Sequence, residues 1–141
     1  MLDELERKAV ALEYVRCINA GDIGRLLKVF ADDVRFEDPV GSPPVQGKTA
    51  LRKHLSDAIK GNVHEIPGEI TASQDGRHIA IPVQIHIDNP EDPGGKRLKI
   101  NAVSVCRLNS AGLIEDVKAF WGQTDVAFVD RDAPISSGEK R

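Results

Sequence analysis

The sequence predicts an α+β domain, with helices packed on one face of a mostly antiparallel sheet, and three observations carry that prediction. Apolar residues recur at helical spacing through the first third of the chain. Beyond Gly61 they alternate with period two. The two patterns follow one another and do not interleave as they do in a parallel βαβ sheet. At 141 residues the chain fits one domain with a sizeable core. The expected boundaries are 1–126 for the domain and 127–141 for a loose polar C-terminal tail.

Leu2, Leu5, Ala9, Leu12 and Ile18, set among charged residues, predict a first helix that Gly21 ends. Asp22 is placed to cap a short second helix carrying Ile23, Leu26, Leu27 and Phe30, closed by Ala31, Asp32 and Asp33. A strand through Val34 and Phe36 follows and stops at Pro39, which lacks a ladder donor. The loop Gly41-Ser42-Pro43-Pro44 leads to a third helix over residues 48–59.

Ile79, Ile81, Val83, Ile85 and Ile87 then occupy every second position, which gives one strand a wholly aliphatic face. Pro82 within it predicts an edge strand or a bulge. A polar hairpin over residues 88–95 connects to a strand with Leu98, Ile100, Ala102, Ser104, Cys106 and Leu108 on one face. After a turn at 109–112, a last strand alternates Val117, Ala119 and Trp121 against Asp116, Lys118 and Phe120.

Composition excludes several classes. A net charge of -3, a pI near 5.8 and interleaved basic and acidic residues leave no footprint for nucleic acid or an anionic membrane. Cys17 and Cys106, far apart and flanked by apolar residues, suit two buried thiols in a reducing compartment. With no apolar run near bilayer length and an acidic start at Met1-Leu2-Asp3-Glu4, the expected location is cytoplasmic. The four histidines show no metal-ligand spacing, so no metal site is expected, and no phosphate loop or nucleophile elbow is present in the sequence.

What remains is polar groups on apolar faces. In Val34-Arg35-Phe36-Glu37-Asp38-Pro39, alternation turns Asp38 inward beside Val34 and Phe36, at the rim of a core or cavity. Lost hydration there raises a carboxyl pKa and makes it a better base. Asp-Pro-x-Gly is also a turn signal, and on those four residues alone the turn is the commoner explanation. Tyr14 shares a helical stripe with Val10, Cys17 and Ile18, where a tyrosine usually only packs. Ser104 interrupts an aliphatic face, and Trp121 brings an indole N–H that needs an acceptor and suits an inward carboxylate.

The segments Glu13-Tyr14-Val15, Asn19-Ala20-Gly21-Asp22-Ile23, Phe30-Ala31-Asp32-Asp33, Phe36-Glu37-Asp38-Pro39-Val40-Gly41-Ser42-Pro43-Pro44 and Lys118-Ala119-Phe120-Trp121 resemble the ketosteroid isomerase (steroid delta-isomerase) family, within the nuclear transport factor 2-like superfamily. The resemblance spans roughly residues 8–126. It implies a cone-shaped fold in which three N-terminal helices and a curved sheet enclose an apolar pocket. It further implies an enzyme that converts 3-oxo-Δ5-steroids to 3-oxo-Δ4-steroids through a dienolate, without a cofactor and as a homodimer or higher homo-oligomer.

On that basis Asp38 matches the base and Tyr14 the oxyanion donor. Val40, Val83, Ile85, Val117, Ala119 and Trp121 line the path of a steroid or similar apolar ketone. Ser104 occupies the position of the family's second, carboxylic-acid donor, and Leu55 stands where some members carry a tyrosine. A hydroxyl is a weaker acid than a neutral carboxyl, so rate or substrate should differ from the family's. The alternatives are other superfamily chemistry, of the polyketide cyclase or dehydratase-like kind, or a non-catalytic binder of apolar small molecules.

Overall fold

A computed structural model describes residues 2–135. Helix α1 (Glu4–Ala20) starts at a capping box in which Asp3 accepts from the Glu6 amide at 2.7 Å and Glu6 from the Asp3 amide at 2.9 Å. It ends at Gly21, whose φ of 68° is the left-handed conformation that glycine adopts without a Cβ clash. Helix α2 (Ile23–Leu27) is shorter than the apolar pattern suggests. Phe30 to Asp33 belong to strand β1 (Phe30–Glu37), because Phe30 and Ala31 bury themselves in the sheet. Strand β2 (Val45–Gln46) and helix α3 (Lys48–Lys60) follow, and α3 buries Leu51 and Leu55.

The remaining strands are β3 (His64–Pro67), β4 (Thr71–Ala72), β5 (His78–Asp88), β6 (Arg97–Leu108), β7 (Ile114–Phe120) and β8 (Val126–Val129). The sheet runs β2-β1-β7-β6-β5-β3, with β4 also pairing β5 and β8 also pairing β6. β1 and β7 pair in parallel, and the other pairings are antiparallel. Register shifts between Phe30 and Arg35, and between Arg107 and Leu108, bend the sheet. The helices fill its concave side, where Phe30, Ile18, Leu26, Leu51 and Ile79 are fully buried. The α+β cone expected from the sequence is the fold observed.

Two expectations need correcting. Pro82 lies in an interior strand paired to Val103 of β6, not at a sheet edge. Its other side faces the gap between β3, which ends opposite Val83, and β4, which ends opposite Ala80. The missing donor therefore falls where no strand pairs, and the Pro82 carbonyl accepts from Gly68 at 2.7 Å across that gap. The C-terminal stretch is not a loose tail at residues 126–129, which pair with β6 from Val126↔Ile100 to Arg97↔Val129; residues 136–141 lie outside the described part. No described helix is long and apolar enough to cross a membrane.

Candidate active site

A cavity of about 540 Å³ opens between α1, α3 and the strands, where β5 ends and β6 begins. Ile18, Leu55, Val63, Ile85, Ile87 and Ile100 give it apolar walls. Tyr14, Asp38, His54, Glu65 and Trp121 supply its inner polar groups.

Asp38 follows the last residue of β1, where Pro39 stops the strand, and accepts from the Trp121 indole nitrogen at 2.7 Å. Burial raises its pKa, while the Trp121 hydrogen bond and the neighbouring His54 pull the other way. The carboxyl therefore has one fixed donor and remains within reach of a ligand. Tyr14, on α1, is held by an edge-on contact with Phe30 at a centroid distance of 6.0 Å, and Phe30 packs in turn on Phe36 at 6.3 Å. His54 stacks obliquely on Phe36 at 5.4 Å. An aromatic chain thus ties Tyr14 to the strand that leads into Asp38.

Glu65 is the residue that sequence reasoning missed. It lies on β3 opposite Ile85 and is 8% exposed. Asn19 of α1 clamps its backbone from both sides, accepting from its amide at 2.7 Å and donating to its carbonyl at 2.8 Å. The Tyr14 hydroxyl donates to Glu65 Oε2 at 3.5 Å, a long contact. Burial first, and the Asp38 charge second, push the Glu65 pKa up to about 7, with the Tyr14 hydrogen bond opposing. With its pKa pushed up to about 7, Glu65 keeps a share of its proton close to neutral pH and can give it up within the cavity that also holds the Asp38 carboxyl. Burial also raises Tyr14 well above its ordinary value, so it stays a phenol and a donor.

The other expected site residues divide. Ile85 and Trp121 line the cavity. Ser104 lines a separate space of about 20 Å³ behind Tyr14, together with Val117, Phe36 and Cys106. Its face on β6 is the inward one, but it lies four residues beyond Ile100, roughly 13 Å farther along the strand. Val83 and Ala119 are buried outside the cavity lining, and Val40 is 40% exposed beyond it. The buried carboxyl group in the larger cavity is Glu65 of β3, while Ser104 of β6 lines the smaller space that Tyr14 also borders.

Comparison with known proteins places the chain. Residues 11–117 match the SnoaL-like domain. The chain belongs to the SnoaL-like family. Among curated relatives of this SnoaL-like protein, Epoxide hydrolase LasB of Streptomyces lasalocidi is 38% identical over 137 residues, covering 97% of this chain and 49% of LasB. The chain thus spans about half the length of that relative. The epoxide hydrolase/cyclase-like enzyme SalBIII, described for pyran ring formation in the polyether salinomycin, superimposes with a TM-score of 0.84 at 35% identity, covering 88% of this chain and 96% of that one. A Steroid Delta-isomerase of Nocardioides simplex is 25% identical over 121 residues, 86% of this chain and 94% of the isomerase. The steroid isomerase resemblance thus holds as a distant relationship, and the epoxide-opening proteins are nearer in sequence.

Proposed function

We propose that the cavity opens an epoxide by attack of a hydroxyl group of the same molecule, closing a cyclic ether. The observation that carries this reading is the unequal carboxyl pair, Asp38 with Glu65, inside apolar walls. Asp38 takes the proton from the attacking hydroxyl as its oxygen bonds to an epoxide carbon. The C–O bond of that carbon breaks, and the epoxide oxygen receives the Glu65 proton and leaves as a hydroxyl. The product is an isomer of the substrate. Transfer of the proton from Asp38 back to Glu65 through solvent restores the pair, so no cofactor is consumed. The apolar lining disfavours water as the competing nucleophile. LasB and SalBIII support this chemistry over the steroid reaction.

A second reading is double-bond isomerisation of an apolar ketone, with Asp38 as the single base and Tyr14 and protonated Glu65 as oxyanion donors. The isomerase relative favours it, and it needs the same residues with Glu65 donating a hydrogen bond and keeping its proton.

The test is incubation with an aliphatic hydroxy-epoxide and, in parallel, with a 3-oxo-Δ5-steroid. The expected result is a cyclic ether of unchanged mass from the first and little conjugated enone from the second. A product heavier by one water would assign hydrolysis. Enone formation alone would reverse the order of the two readings.

A further inference from the structure

One lip of the cavity is the hairpin between β5 and β6, from which Asp88, Asn89, Pro90 and Pro93 contribute to the lining. The hairpin has a local fold of its own: the Asp92 amide donates to the Asn89 carbonyl and the Gly95 amide to the Asp92 carbonyl, each at 3.0 Å. Residues 90–94 are exposed, so no apolar packing fixes them to the core.

What holds the hairpin comes from the far end of the chain. Beyond β8, the Arg131 guanidinium donates to the Gly95 carbonyl at 3.2 Å, to the Pro93 carbonyl, and to Asp88 Oδ1 at 3.1 Å. Asp88 is itself anchored by Arg97 at 2.6 Å and by the Asn62 amide at 2.7 Å, at the end of α3. Antiparallel pairing of β8 with β6 places Val129 opposite Arg97 and so brings Arg131 to this junction. One planar side chain thus spans the hairpin from its base at Asp88 to its returning limb at Gly95, which a point-charge lysine cannot do. The stretch that matches the family ends at residue 117, so this strap lies outside it.

We infer that Arg131 is a positioning residue for the cavity: it fixes the hairpin lip and thereby the width of the entrance through which a ligand must pass. The inference concerns the cavity of the proposed function but does not depend on which reaction occurs there, and its test uses no substrate.

The full chain and its Arg131→Ala variant are compared by hydrogen–deuterium exchange and by acrylamide quenching of Trp121, the single tryptophan, which lines the cavity. Loss of three hydrogen bonds from a charged donor should speed exchange at residues 89–95 about tenfold or more. Trp121 quenching should rise with it, while α1 exchanges as before. Arg131 lies beyond the buried core, so the variant should fold. Unchanged hairpin exchange would overturn the inference. So would faster hairpin exchange with unchanged Trp121 quenching, since the lip would then not govern access. Equal acceleration in α1 would also overturn it, by showing a fold-wide role.

Discussion

Replacing Asp38 by asparagine should lower turnover of a hydroxy-epoxide by about a hundred- to ten-thousand-fold, the range that a positioned general base contributes. The substitution is nearly isosteric, and the Trp121 indole can still donate to the amide oxygen, so the cavity keeps its shape. Steady-state kinetics should therefore show the loss in kcat, with KM little changed. Turnover retained to within a few-fold would remove Asp38 from the mechanism. Because both readings of the site use Asp38 as base, this variant tests the base and not the choice of reaction.

Glu65→Gln makes that choice. An amide donates a hydrogen bond but cannot deliver a proton, so epoxide opening should fall by about a hundred- to ten-thousand-fold, while an isomerisation that needs only a donor should fall much less. The same substitution has a signature in stability. The folded-state pKa of Glu65, about 7, lies above its ordinary value of 4.5. The group thus holds its proton more tightly when folded, and the favourable contribution is fully present below about pH 4. It is lost as pH rises through 7, where ionisation inside the cavity must be tolerated. The shift corresponds to something on the order of 3 kcal/mol. Thermal or urea denaturation from pH 5 to pH 8 should therefore show wild type losing stability relative to Glu65→Gln; parallel profiles would contradict the raised pKa.

Asp38, Tyr14 and Trp121 could be read in the sequence because each lies in, or directly follows, an element long enough to declare its periodicity. Asp38 continues the inward face of Val34 and Phe36, and Tyr14 the stripe of Val10, Cys17 and Ile18. Both faces are inward in the structure, and Tyr14, Asp38 and Trp121 meet in one cavity. Glu65 could not be read in the same way. β3 is four residues long, His-Glu-Ile-Pro, and too short for alternation to assign a face. The inward direction of Glu65 comes from pairing with Ile85, twenty positions away.

Ser104 shows what alternation leaves undetermined. Alternation places its side chain on the correct face, but face is not depth. How far along β6 the cavity reaches depends on where α3 and the β5–β6 hairpin close over it. Arg131 lay in a stretch whose polarity reads as a tail, and its structure comes from pairing with the free edge of β6 beyond β7. Local pattern thus carried the architecture and one half of the carboxyl pair, and long-range pairing supplied the other half.

The central claim is that one cavity holds two carboxyl groups, of which Glu65 carries its proton up to about pH 7. Carbon-detected NMR titration of the side-chain carboxyl groups, assigned with Asp38→Asn and Glu65→Gln, measures this directly. The account predicts a Glu65 resonance that titrates near pH 7 and moves to lower pH when Asp38 is neutralised, because the Asp38 charge is one of the two causes of the shift. Titration of Glu65 near its ordinary value of 4.5, unaffected by Asp38→Asn, would contradict it.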